Sequence, residues 1–531
     1  MGAALRIAIL LALALVSLHT HARADDGRPP VILLPGLAGS RLQARLGPEY
    51  RSPHWYCHRG SECSKWQDVW LLLTDYVLPS CLNAELRVFT RETNASSEAG
   101  RHDQYDHHKK KKKKKKHHHH RHTKMLEYAN APGVEVRAVD FGGLSGISSL
   151  DPYAQSASQY FAPLIAALEK AGWKAGESLF GAPYDFRFAA DGLQASGFHE
   201  AMAGLVERAV DASGGKRAYL LAHSMGGLVG WHFLATRSEA WLEAHVAGFV
   251  TVSTPFGGSP LAPRSSISGD NFGGCNTTRG MTRHLTIADV SIRPPPFLPL
   301  PFLPSPYPPF DPPILYRTGL DFAHDVFLGV QATSPSGPWL FPAQGLWRGE
   351  QGRQGREEED DERAVIVRTR TQNYTAASSD MAAMLMALGR EGQALAQPVV
   401  RDLRFDAGAV GSGASLSLDA PGGPAFPPLP PFLKLSCIHS AGVATGAQFF
   451  YDVEAFNASG GPMAGLPAPA IERVVDGDGV VDAASLAHCA RLPGVKHFAP
   501  VFGSDHIKIL STPELHAKVI AALGAAAPHA A

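Results

Sequence analysis

Residues 219 to 234, Tyr-Leu-Leu-Ala-His-Ser-Met-Gly-Gly-Leu-Val-Gly-Trp-His-Phe-Leu, leave this chain few architectures to choose from. Tyr219 to Ala222 suit a strand buried on both faces of a parallel sheet, and from Met225 the residues Leu228, Trp231 and Leu234 recur at helical spacing. Between them, Ala222-His-Ser224-Met-Gly226 fits a nucleophile elbow, with alanine in place of the first glycine of G-x-S-x-G. Small residues flank the serine because strand and helix backbones pass close together at such a turn. A serine hydroxyl attacks poorly until a base removes its proton. Alone, the segment also fits an ordinary glycine-rich turn between strand and helix.

A base and a carboxylate to orient it are therefore sought downstream, in the order Ser, Asp, His. Val474-Val-Asp476-Gly-Asp478-Gly-Val480-Val reads as an apolar strand running into a turn of acids. Asp478 is preferred, because Asp-Gly-x-Val puts it just past the strand, with Asp476 second. A solvated turn or a calcium loop is the alternative, but Gly477 and Gly479 leave too few oxygen ligands for an EF-hand. Phe502-Gly503-Ser-Asp505-His506-Ile-Lys-Ile-Leu510, read as the last ordered element, suits a loop-borne base, and chain order singles out His506 among 24 histidines. His223 adjoins the serine, and its side chain should point away from the hydroxyl in a structural role. The oxyanion of acyl transfer needs two amide donors. Met225 follows the nucleophile, and Leu37 lies in Gly36-Leu37-Ala38, after the strand from Pro30 to Pro35.

Tyr160 to Ala171 and Phe198 to Ala212 read as helices, while Gly248 to Ser253 and Leu433 to His439 read as strands. Ala441 to Ala447 reads as a turn, with Gln448 to Tyr451 as one arm of a hairpin. Strands alternating with amphipathic helices predict an α/β class with a mainly parallel sheet covered on both faces. Four stretches read as loop or surface insertions: a Lys/His tract at about 95–124, a Pro-rich segment at about 287–315, a charged one at about 346–364, and a Gly/Ala/Pro-rich one at about 405–431. No internal repeat is visible, so residues 25–528 are expected to form one large domain.

Arg6, the apolar run Ile7 to Leu18 and Ala22-Arg23-Ala24 match a secretory signal peptide over residues 1–24. This implies the secretory pathway, with an extracellular or vacuolar/lysosomal destination. No later run approaches the roughly 18 apolar residues of a membrane span. Six cysteines allow 15 pairings; Cys57 and Cys81 bracket a Trp- and Leu-rich segment, Cys437 and Cys489 lie late, and Cys63 and Cys275 remain. Asn94, Asn276, Asn373 and Asn457 head glycan-acceptor tripeptides. Lys109 to Lys116 supply eight of the 49 Lys and Arg, which leaves 41 against 49 acids. A mildly acidic body argues against nucleic acid as a partner. The expected chemistry calls for no cofactor and no metal.

The combination resembles the lecithin:cholesterol acyltransferase-like family, which includes lysosomal phospholipase and plant and algal members. The resemblance rests on Pro30 to Ser40, Ala131 to Val134, Phe141 to Pro152, Leu179-Phe-Gly-Ala-Pro-Tyr-Asp-Phe-Arg187, Ala222 to Gly227, Ser253-Thr-Pro-Phe-Gly-Gly258, Trp339-Leu-Phe-Pro342, Gln372 to Thr375, Asp476 to Val480 and Gly503 to His506, all in family order. Phe256 stands where the family usually has tryptophan. The resemblance implies an α/β-hydrolase fold with Ser224, Asp478 and His506 as nucleophile, acid and base, and with Leu37 and Met225 as oxyanion amides. It pairs Cys57 with Cys81 across a lid at about 54–90 and Cys437 with Cys489, and it puts Trp66 or Trp70 near the lipid. The implied activity moves an acyl chain from a phospholipid to a lipid alcohol at a membrane or lipoprotein-like surface. Transfer to water, as a phospholipase A, is the alternative; a lipid-binding protein with a dead site is the reading from another class.

Overall fold

The computed structural model describes residues 28–54, 57, 65–72, 79–94, 124–269, 327–347, 365–404, 415–420, 424–458, 466 and 468–524. The leader at 1–24, Cys63, Cys275, Asn276, the Lys/His tract, and all or most of the Pro-rich and charged stretches lie outside the described residues. Six parallel strands form the central sheet: β1 (Val31–Leu34), β2 (Leu179–Gly181), β3 (Ala218–His223), β4 (Val246–Val252), β5 (Lys434–Ile438) and β6 (Val495–His497). Their order is β6-β5-β4-β3-β1-β2.

Successive side chains leave a strand on opposite faces, and this chain makes both faces apolar. Val31, Leu33, Tyr219 and Leu221 join helices α1 (Ala162–Lys170) and α4 (Pro513–Ala522) in one core, through Leu164, Leu168, Leu515 and Val519. Ile32, Leu34, Leu220 and Ala222 join α2 (Phe198–Ala212) and α3 (Met225–Ala235) in the other, through Met202, Val206, Leu228 and Phe233. Elbow strand β3 is buried along its whole length. A parallel sheet covered by helices on both faces, with a serine at the strand-to-helix turn, is the α/β-hydrolase architecture.

A second sheet, in the order 373–375, 365–368, 443–450, 470–477, stands beside the first and ends just before Asp478. Here the expected turn at Ala441 to Ala447 is corrected. Val443–Phe450 is one strand, paired antiparallel to Ala470–Gly477 from Val443 opposite Gly477 to Phe450 opposite Ala470. Ala444, Gly446 and Ala447 depress local strand propensity, and the ladder to the partner strand overrides it. The partner is also less apolar than expected, since Ile471 and Val474 point to solvent. Nor is His506 in the last ordered element, because α4 follows it.

Part of the stretch read as a surface insertion at 405–431 is core. Leu416 and Leu418 are buried, Phe426 packs on Trp231 and Phe256, and Trp231 Nε1 donates to the Pro427 carbonyl at 3.0 Å. Within a Gly/Ala/Pro-rich background, Phe426 and Pro427 cover Trp231 of α3 without forming a long element.

Arg187 ties the periphery to the core. Fully buried, it makes a two-pronged pair with Asp185 (2.8 and 2.6 Å) and donates to the Leu86 carbonyl (3.1 Å) and to Asn130 Oδ1 (2.7 Å). One guanidinium thus joins the turn after β2, the helix Pro79–Leu86 and the hairpin strand Lys124–Asn130. Disulfides link Cys57 to Cys81 and Cys437 to Cys489, as the resemblance implied.

Candidate active site

Ser224 closes β3 in a backbone conformation (φ 55°, ψ −133°) that few non-glycine residues adopt. The glycines that follow allow it: a Cβ on Gly226 would lie 2.4 Å from the Pro35 carbonyl oxygen, and one on Gly227 1.9 Å from Thr254 Oγ1. The strained turn lifts the hydroxyl off the C-terminal edge of the sheet.

His506 meets it there. Its Nε2 lies 2.9 Å from Ser224 Oγ, and its Nδ1 lies 2.6 Å from Asp478 Oδ2. A carboxylate fixes the tautomer: Nδ1–H donates to Asp478, leaving the Nε2 lone pair to accept the serine proton. The other carboxylate oxygen of Asp478 accepts from the amides of Val480 (3.1 Å) and Val481 (2.8 Å), and its carbonyl receives the His506 amide at 2.9 Å. Asp478, His506 and Ser224 are 0, 5 and 9% exposed, so the three groups sit in a site largely closed to water. Asp476, the second candidate, does other work: its Oδ1 accepts the amides of Gly442 (2.7 Å) and Gly477 (2.8 Å) and shapes the turn.

A cavity of about 330 Å³ opens on the Ser224 hydroxyl. Its walls are mostly apolar, with Leu37, Trp70, Phe186, Phe327, Leu340 and Val481 among the lining residues. Leu37 sits on the wall beside the serine, and Met225 occupies the first turn of α3, where its amide has no carbonyl within the helix to bond. The two tryptophans part company. Trp70 is buried on the cavity wall, packed on Phe186 and Phe327, with its Nε1 donating to the Ala38 carbonyl at 2.8 Å. Trp66 is absent from the lining residues, and the guanidiniums of Arg45 and Arg137 stack over its ring, 5.0 and 4.2 Å from the centroid. Four residues apart, the two rings would share a face under strict alternation; Trp66 lies just before the strand Gln67–Trp70, whose register to Leu42–Leu46 shifts between Asp68 and Trp70 and breaks that alternation.

His223 points away from the hydroxyl, as expected, and makes two hydrogen bonds of its own, to Tyr160 Oη (2.7 Å) and to the His506 carbonyl (2.8 Å). Sequence reading missed Tyr160, seen only as the start of a helix. Nothing local marks it, because its partners lie 63 and 124 residues away. Asn373 and Asn457 are exposed and Asn94 ends a strand. Among the described residues, Cys437, His439, Cys489 and His497 bring metal-ligand atoms within 4.8 Å of one another. Both sulfurs are joined in a disulfide there, which removes the thiolates a metal would need.

The family model described as lecithin:cholesterol acyltransferase matches residues 115–510, three-quarters of the chain, with the elbow, Asp478 and His506 inside the match. The chain belongs to that family. Lecithin-cholesterol acyltransferase-like 1 of Arabidopsis thaliana is 30% identical over 46% of this chain and 52% of its own. Phosphatidylcholine-sterol acyltransferase of Mus musculus is 30% identical over 48 and 50%. Lysosomal phospholipase A and acyltransferase of Homo sapiens is 28% identical over 50 and 55%. The chain thus spans about half the length of these relatives. As a family member it carries an α/β-hydrolase fold, and no described helix is long and apolar enough to cross a membrane.

Proposed function

We propose that this lecithin:cholesterol acyltransferase family member is a serine-dependent lipid O-acyltransferase that moves a fatty acyl chain from a phospholipid to a lipid alcohol. One observation carries the reading: a nearly closed Ser224–His506–Asp478 chain of hydrogen bonds stands at the head of an apolar cavity. His506 takes the serine proton as Oγ attacks the ester carbonyl. The tetrahedral oxyanion is met by the amides of Leu37 and Met225, and His506 returns the proton to the departing lysophospholipid hydroxyl. The acyl-enzyme then transfers its chain to a second alcohol, such as a sterol hydroxyl, activated by the same imidazole. A cavity with apolar walls suits the acyl chain, and Trp70 is the aromatic we assign to contact with it. The names of the Mus musculus and Homo sapiens relatives, which speak of sterol acylation and of phospholipase A activity, agree with this reading.

The experiment supplies vesicles of acyl-labelled phosphatidylcholine with and without sterol. Labelled sterol ester formed by the wild type and lost in Ser224→Ala supports the transferase. Labelled free fatty acid at the same rate with and without sterol makes the protein a phospholipase A, and bound lipid with no product in either case makes it a binding protein.

A further inference from the structure

A buried chain of hydrogen bonds joins the two loops that the proposed chemistry depends on. The Gly36 amide donates to Tyr160 Oη at 2.8 Å, Tyr160 Oη lies 2.7 Å from His223 Nδ1, and His223 Nε2 lies 2.8 Å from the His506 carbonyl. The direction of every proton follows from one end. A carbonyl oxygen only accepts, so His223 carries its proton on Nε2 and offers a bare Nδ1. The Tyr160 hydroxyl already accepts from Gly36, so its own proton goes to that Nδ1. Each group has one role, and the chain runs Gly36 N–H to Tyr160 O–H to His223 to His506 C=O.

We infer that Tyr160 and His223 are positioning residues for acyl transfer, a strut that fixes the oxyanion loop and the general base relative to each other; this rests on the proposed function above. Tyr160 grips the oxyanion loop at two points. Its hydroxyl holds the Gly36 amide, and its ring lies so close to Gly39 that a Cβ there would come within 2.7 Å of Cε1. Leu37 and Ala38 are suspended between those grips. Fixing Gly36 and Gly39 limits how far the Leu37 peptide between them can turn. At the other end, His223 anchors the backbone of the residue whose imidazole must reach both Ser224 and Asp478. Nothing else in the proposed mechanism requires a histidine beside the nucleophile, and both members are 5% exposed or less. Burial, and then the neighbouring His506, hold the His223 imidazole well below its usual range, which keeps it in the neutral form the chain requires.

The readout is phosphonylation of Ser224 by a fluorophosphonate, which reports on the serine and its oxyanion donors whatever the natural lipid is. Tyr160→Phe keeps the ring against Gly39 and removes the hydroxyl. His223→Gln keeps an N–H for the His506 carbonyl, and His223→Leu does not. We expect Tyr160→Phe and His223→Leu each to lower the maximal labelling rate about 10- to 100-fold, with the half-saturating probe concentration unchanged. His223→Gln should recover most of the rate, and the Tyr160→Phe/His223→Leu double variant should fall no further than the worse single one, as for two links of one strut. Wild-type rates in the single variants overturn the proposal. So does a double variant that loses the product of the two effects, or a loss that tracks thermal unfolding with no rescue by Gln. Should Ser224→Ala still turn over phospholipid, the proposed function falls, while these labelling ratios still judge the strut.

Discussion

Gly36 and Ser224 touch more closely than any side-chain-bearing pair could. A methyl group on Gly36 would lie 2.6 Å from Ser224 Cβ and 3.1 Å from its Oγ. The loop after β1 therefore approaches the nucleophile with backbone alone, as a loop must if its amides are to reach an oxyanion. Gly36→Ala pushes loop and serine apart. Displacements near 1 Å cost on the order of 100-fold in rate, so kcat/KM of the folded variant should fall at least that far.

The two acids of the Asp-Gly-Asp turn separate by experiment. Asp478→Asn leaves an amide that cannot both accept from His506 Nδ1–H and hold its tautomer, and should lower kcat by about 10³- to 10⁴-fold. Asp476→Asn should keep kcat within about 10-fold and lower the thermal midpoint instead, because Asp476 braces the amides of Gly442 and Gly477. Steady-state kinetics beside melting curves distinguish the two.

What the sequence yielded followed from short-range geometry. An elbow is a local object, and its serine, strand and helix were legible in sixteen residues. Asp478 and His506 were legible because chain order in this fold is fixed, and a place just past the strand end favoured Asp478 over Asp476, as the family likeness then did. What it withheld depends on distant partners. The strand Val443–Phe450 exists because Ala470–Gly477 lies beside it, and residues 441–447 alone look like a turn. Trp66 and Trp70 differ by four positions, and only the register shift against the neighbouring strand decides which ring lines the cavity and which packs on guanidiniums. The role of Tyr160 comes from Gly36, 124 residues earlier, and no periodicity could have disclosed it.

Arg187 should matter to stability more than to chemistry. Arg187→Met leaves Asp185 without its partner and strands the Leu86 carbonyl, at a cost of about 3–5 kcal/mol. Arg187→Lys should not restore it, because an ammonium cannot replace a planar fork that serves three partners. Urea unfolding followed by tryptophan fluorescence checks both.

Acid should weaken the fold. Burial lowers His199 and His439 from 6.5 to about 4, with help from Arg237 and His497 respectively. His232 lies well below its usual range for the same first reason. A base with a lowered pKa in the folded state gives the unfolded chain more protons between about 4 and 6.5, so stability is full above 6.5 and is lost as pH falls. By pH 5 each of His199 and His439 costs about 2 kcal/mol. Asp482, raised by burial to about 6, opposes this over its own window because the folded state takes the proton first, but it is one acid against several histidines. The thermal midpoint should drop between pH 7.5 and pH 5; a midpoint that rises with acid would favour a lysosomal or vacuolar setting over an extracellular one.

The decisive measurement is to quench the reaction with acyl-labelled phosphatidylcholine in its first turnovers and map the peptides by mass spectrometry. An acyl ester on Ser224, decaying as sterol ester or fatty acid appears and missing in Ser224→Ala, is the predicted result. Acyl groups on another residue, or undiminished phospholipid turnover by Ser224→Ala, would contradict it.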